Sequence, residues 1–190
     1  MVVDPREAEG MSRRWTIALL SAAALVAAVG YSQYWVATGR VATVEPGRLY
    51  RSAAVPPDRL LEICRRYGIT TVVDFRNEPA DAPAEVEMLA REGIQHVSLA
   101  TGQVPSSETV AQFLRLMDTK RHEAVLIHCS QGVGRAGVFS AIYRMEYQGW
   151  PRWRAIAEAV VLSGFGSFGP GNSKTKFLWG YTPRQPGRAR

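Results

Sequence analysis

The chain has 190 residues and is 46% apolar, enough for one domain of ordinary size with appendages and a real core. Lys and Arg outnumber Asp and Glu by 23 to 17, a formal charge of +6. The excess sits at the two ends and forms no stripe, which argues against a nucleic-acid face, and two cysteines leave the redox compartment open.

Residues 1–14 read as an N-terminal tail, and residues 15–36 as a transmembrane helix. From Trp15 to Val36 there is no charge, and the run Ile17 to Val29 is almost wholly apolar. A helix of this length reaches about 33 Å, enough to cross a bilayer core. Trp15 at one end and Tyr31, Tyr34 and Trp35 at the other match interfacial anchors. The competing reading is a cleaved signal peptide, with Arg13-Arg14 as its charged start and Ala27-Ala28 near its cleavage site. The apolar run continues past those small residues into aromatics, which favours a retained anchor. Arg6, Arg13 and Arg14 precede the span and Arg40 alone follows closely, so the positive-inside rule puts the N-terminus inside and the domain outside.

Residues 37–165 predict a domain of alternating strands and helices: an α/β fold with a central, mostly parallel sheet flanked by helices. Residues 37–47 carry a linker and first strand, and Leu49–Arg51 a short edge strand. Pro57 opens a helix with the apolar stripe Leu60, Ile63, Cys64 and Tyr67, closed by Gly68. Thr70–Phe75 is β-branched and reads as a buried strand. A helix over 83–92 stops at Gly93, and Ile94–Leu99 alternates as a strand. Ser106 or Ser107 caps a helix carrying Val110, Phe113, Leu114 and Met117. A central strand follows, then a helix over 135–148 and another over 153–162. Residues 166–190 read as a flexible basic tail.

The chemistry lies in residues 124–137. An apolar run ends at His128 and Cys129; Ser130, Gln131, Gly132, Val133 and Gly134 follow; then comes Arg135, with a helical pattern behind it. A buried strand, a glycine-bearing turn and a helix make a phosphate cradle. Backbone N–H groups, the positive end of the helix and Arg135 all favour thiolate over thiol, and only the thiolate attacks. Arginine suits the place because its planar fork bonds two oxygens at once. Cys64 has Thr70 at the same offset and fails the pattern; it reads as a buried core thiol on a helix face. In an oxidising compartment the two cysteines have the alternative of a reversible disulfide guarding the nucleophile. His96, His122 and His128 read as isolated, no Cys/His cluster has ligand spacing, and neither a metal nor a cofactor is called for. His128 reads as a residue that orients the loop.

The segment His128-Cys129-Ser130-Gln131-Gly132-Val133-Gly134-Arg135 resembles the signature loop of the cysteine-dependent protein tyrosine and dual-specificity phosphatases. Pro46–Ala53 and Gly68–Glu78 resemble the start of the compact, atypical dual-specificity branch found in bacteria, and the likeness covers roughly residues 41–165. The resemblance implies Cys129 as nucleophile, a cysteinyl-phosphate intermediate and Arg135 as phosphate binder. In a bacterium, the span and the arginine bias read above would make this an inner-membrane protein with one span and a periplasmic catalytic domain.

Two departures stand out. The family has Ser or Thr directly after the arginine, with a hydroxyl for the cysteine sulfur; this chain has Ala136. The family also places a general-acid aspartate some thirty residues before the cysteine; the matching stretch, Leu99 to Ser107, has no carboxylate. Asp118 falls on a predicted helix and matches poorly. Glu108, Asp81, Glu78 and Asp74 stand as replacements, and the general acid stays unassigned. The reading is therefore a membrane-anchored phosphomonoesterase acting on a phosphoprotein or a lipid monoester. The alternatives are a weak relative that binds phosphorylated ligands, and a sulfurtransferase or arsenate-reductase-type enzyme.

Overall fold

The computed structural model describes residues 5–77, 82–163 and 166–184, with side chains described from residue 14 onward. The chain divides into two compact units, Met1–Thr38 and Gly39–Arg190.

The first unit is a single helix, α1 (Pro5–Ala37), which begins inside the segment expected to be a tail. Its stretch Arg14–Ala37 is long and apolar enough to cross a bilayer, a test that a signal sequence also passes. Leu19, Leu20, Leu25 and Val26 are all exposed, so the helix has no polar face to turn to water. The Thr38 hydroxyl donates to the Tyr34 and Trp35 carbonyls and closes the last turn.

The second unit is built on a five-stranded sheet of β1 (Ala42–Glu45), β2 (Leu49–Ala53), β3 (Ile69–Asp74), β4 (Gln95–Ser98) and β5 (Ala124–Cys129), in the order β1-β2-β5-β3-β4. Only β1 and β2 are antiparallel; the other pairs are parallel. Central parallel strands are buried on both faces and read as unbroken apolar runs. In β5, Val125, Ile127 and Cys129 join one core, with Phe113, Phe139, Tyr143 and Ile156 from α4 (Ser107–Thr119), α5 (Arg135–Tyr147) and α6 (Arg152–Leu162). Ala124 and Leu126 join the other, with Leu60, Ile63, Cys64 and Leu89 from α2 (Pro57–Tyr67) and α3 (Ala82–Arg91).

Local chemistry sets most boundaries as expected. Gly68 at φ 64° ends α2 in the left-handed conformation, and Ser106 caps α4 by accepting from the Thr109 N–H. Val110, Phe113, Leu114 and Met117 are all buried.

Three expectations are corrected. The segment from Leu49 is no edge strand: β2 lies between β1 and β5, and its Arg51 and Ser52 are buried although their polarity suggests exposure. The last segment is not wholly tail: α7 (Ser173–Gly180) folds with Leu178 and the preceding Phe168 in the core. The disulfide alternative is set aside: Cys64 is the buried core thiol on α2 that the sequence favours, and it and Cys129 are both free, in different core clusters.

Candidate active site

The β5–α5 connection wraps residues 130–134 into a loop at the carboxyl end of the parallel strands. Cys129 is the last residue of β5, opposite Ala53 of β2. The Ala54 N–H donates to the Cys129 carbonyl at 2.8 Å and locks the strand end. Gly132 takes φ 71°, and a Cβ there would lie 2.4 Å from Ala53 N and 2.6 Å from the Ser52 carbonyl oxygen. Only glycine lets the loop turn and press against β2. Gly134 caps α5, with the Val138 N–H donating to its carbonyl at 3.0 Å.

Arg135 opens α5. Its Nη1 donates to the Phe75 carbonyl at 2.8 Å and to the Thr101 carbonyl at 3.4 Å; its Nη2 donates to Ser130 Oγ at 3.0 Å. Phe75 stacks on Phe139 with centroids 4.0 Å apart, so packing fixes the carbonyl that aims the guanidinium. Arg135 and Ser130 line an open cleft of about 500 Å³ with Arg76, Asn77, Thr101, Gly102 and Gln103. Cys129, next in sequence to Ser130, is 3% exposed and is not among the residues lining the cleft; Val133 is buried while Gln131 is exposed. Arg40 donates to the Gln131 carbonyl at 3.2 Å from outside the loop.

Strand alternation sends His128 to the opposite face from Cys129. There its Nε2 stands 3.0 Å from Glu85 Oε1 and 3.8 Å from Asp74 Oδ1. Arg76 bridges the two carboxylates, at 2.9 Å from Asp74 and 2.6 Å from Glu85, and His96 Nε2 is 3.4 Å from Glu85. Burial works to raise the Glu85 pKa, but the close approach of His128 and His96 and the charges of His128 and Arg76 hold it well below the usual carboxylate range. His96 and His128 are thus not isolated, contrary to the sequence reading: they converge on one buried glutamate. Ligand atoms of Asp74, Glu85 and His128 lie within 4.8 Å of one another, the spacing of a metal site. Arg76 already supplies the cation that both carboxylates need, so an ion there would have to displace it.

The replacements for a general acid scatter. Asp74 is tied up in the buried cluster. Glu108 is exposed on α4 and pairs with Arg115 at 2.8 Å. Asp118 pairs with Arg184 at 2.8 Å and accepts from Tyr147. Glu78 and Asp81 lie outside the described residues. Gln103 borders the cleft, and its Oε1 accepts from Lys174 Nζ at 3.0 Å. Burial lowers the Lys174 pKa, and the nearby Cys129 works against that shift.

Sequence reasoning missed Arg51, Glu85 and Lys174. A charged residue inside an otherwise apolar strand was the available signal for Arg51. Glu85 reads as an ordinary acid in a first helical turn, and Lys174 lies in a segment that reads as tail.

Comparison with known proteins bears on this arrangement. Residues 40–167 match the family model described as DSP-PTPase phosphatase fused to NAD+ Kinase. The chain is 33% identical over 120 residues to the dual specificity protein phosphatase TpbA of Pseudomonas aeruginosa (strain UCBPP-PA14), covering 62% of this chain and 52% of that protein. It thus spans about half the length of the curated relatives it matches. The crystal structure of P. aeruginosa TpbA superposes with a TM-score of 0.60 at 28% identity, covering 75% of this chain and 84% of that one. A cysteine-to-serine form of TpbA in complex with pTyr gives 0.54 at 25% identity, covering 73% and 93%.

Proposed function

The chain belongs to the DSP-PTPase phosphatase family whose model it matches over residues 40–167, and from that premise we propose that it hydrolyses phosphate monoesters through a cysteinyl-phosphate on Cys129. The observation that carries the reading is the aimed Arg135: Phe75, Thr101 and Ser130, the residue after Cys129, hold its guanidinium at the wall of the cleft. Ser130, Gln131, Gly132, Val133 and Gly134 supply the backbone donors of the cradle.

In the first step the Cys129 thiolate attacks phosphorus. The S–P bond forms, the P–O bond to the leaving group breaks, and that oxygen leaves with the bonding pair and takes a proton. In the second step water attacks phosphorus, loses a proton and displaces the thiolate, releasing inorganic phosphate. Arg135 and the loop N–H groups bind the equatorial oxygens, where charge spreads in both transition states. His128, held by Glu85, orients the strand end from the far face. A phosphotyrosine-bearing protein is the substrate class supported by the pTyr complex of TpbA; a lipid monoester is the competing class.

Residues 15–36 serve as a membrane anchor, with the catalytic domain on the periplasmic side of a bacterial inner membrane. The apolar, uncharged helix supports this, as does the arginine bias before it.

Turnover of an aryl phosphate by the full-length chain in mild detergent tests the reading. Wild type is expected to turn over and Cys129→Ser to be inactive while still binding vanadate; a serine variant with equal turnover overturns the mechanism. Binding without turnover by wild type would favour the phosphate-binding module instead, for which the missing hydroxyl at Ala136 is the specific support. A reporter fused after Arg190 is expected to be active only outside the cytoplasm.

A further inference from the structure

Arg51 is a buried cation with no matched anion of its own. It is 1% exposed, and its Nε and Nη2 have no hydrogen-bond partner in the protein. Strands β2 and β5 run parallel with Arg51 opposite Ile127 and Ala53 opposite Cys129. Arg51 and Cys129 are therefore diagonal neighbours on one face of the sheet. The guanidinium reaches under the first turn of α5, because a Cβ on Gly137 would stand 3.5 Å from its Nη1. This is the positive end of a helix, where a second positive charge is repelled, and burial adds a desolvation penalty.

An anion must offset that placement. Burial lowers the Arg51 pKa; Glu158 and Cys129 act to raise it, and Arg144 acts to lower it. Glu158, from α6, is committed to Arg144 through hydrogen bonds of 2.9 and 2.6 Å. Lys174 from α7 is a further cation whose charge is felt at Cys129. With Glu158 held by Arg144, the Cys129 sulfur is the remaining acidic group that bears on Arg51, and it bears on Lys174 as well.

We propose that Arg51 is a positioning residue for this chemistry: its buried guanidinium, on the face of the sheet that Cys129 shares, stabilises negative charge on the Cys129 sulfur. The proposal rests on the reading of Cys129 as nucleophile. Arg51 touches neither the cleft nor the substrate; it acts through the sulfur.

The test is alkylation of Cys129 by iodoacetamide across a pH series, read on the Cys129 peptide by mass spectrometry, with the full-length chain in mild detergent. Arg51→Met is expected to move the midpoint of reactivity upward by about one pH unit, an about tenfold loss of rate below the midpoint. Arg51→Lys keeps the charge and is expected to move it by less than half as much. A merely structural role would lower the melting temperature of both variants and leave the midpoint in place. A folded Arg51→Met with the wild-type midpoint overturns the proposal.

Should Arg51→Met fail to fold, the wild-type midpoint is compared at about 0.05 M and about 1 M NaCl. Buried charges are screened far less than exposed ones. A shift below about half a unit is expected, and a shift of a full unit assigns the effect to exposed charges and overturns the proposal. Alkylation needs no turnover, so an Arg51-dependent midpoint in an inactive wild type would sink the phosphatase reading and leave the coupling standing.

Discussion

Two adjacent residues of β5 face opposite sides of the sheet and meet opposite kinds of polar environment. His128 enters a cluster in which Asp74, Arg76 and Glu85 pair with one another through short contacts. Cys129 enters an aromatic core that holds one guanidinium, Arg51, with two nitrogens unpartnered. The first environment holds its own cation between two anions, although Glu85 Oε1, His96 Nε2 and both ring nitrogens of His128 make no hydrogen bond. On the proposal made above, negative charge on the Cys129 sulfur completes the second. The difference is one of charge pairing: Arg76 sits between two carboxylates, and Arg51 has no ion pair among the described residues.

The harshest way to break the reactive side is Gly132→Ala. The new Cβ would enter the backbone of Ser52 and Ala53, and no flexible side chain is there to move aside. The loop must rearrange, and turnover is expected to fall at least about a hundredfold, as on removing a donor of a transition-state oxygen. Steady-state kinetics check this. Retained turnover would mean that the tight approach to β2 is not needed.

Breaking the scaffold side should instead reduce stability. Glu85→Ala leaves Arg76 and two histidines around an empty carboxylate position, and removing one partner of a buried ion pair costs about 3–5 kcal/mol. Thermal unfolding measures it. Glu85→Gln gives the milder contrast and a pH signature. The folded-state Glu85 pKa is depressed, so its stabilisation is fully present above the ordinary carboxylate value of about 4.3 and is lost as pH falls below it. The variant should lose less stability than wild type between about pH 4.5 and pH 3. Equal acid-side slopes would show that the cluster does not depend on the ionised carboxylate.

The two sides also differ in how they were legible. The loop stood out because all its working parts are contiguous: an apolar strand, three glycines and an arginine within fourteen residues. The helices around it followed from 3.6-residue stripes and caps. The scaffold cluster draws Glu85 from α3, His96 from β4 and Asp74 from β3, so no local pattern announces it. β2 was misplaced as an edge because Arg51 and Ser52 look solvent-facing, and their burial is a property of the β2–β5 register. α7 was missed because its packing depends on Phe168 and Leu178 reaching a core that has no counterpart in local sequence.

The smallest expected effect sharpens the reactive side. Ala136 is fully buried at the second position of α5. Ala136→Ser offers the sulfur a hydroxyl beside the charge that Arg51 supplies. If loss of the cysteinyl-phosphate limits the rate, stopped-flow mixing with an aryl phosphate should show a burst in wild type. The serine variant should then have a steady rate up to about tenfold higher, for about 1.4 kcal/mol recovered. An unchanged burst and steady rate would show that the alanine is no handicap.

The central claim is that phosphorus is transferred to Cys129, and trapping the intermediate tests it most directly. Full-length chain mixed with an aryl phosphate and quenched in acid within milliseconds should yield a peptide carrying phosphate on Cys129, at a level that rises with the burst. Turnover with no phosphate on that peptide, or with phosphate on another residue, would contradict the account.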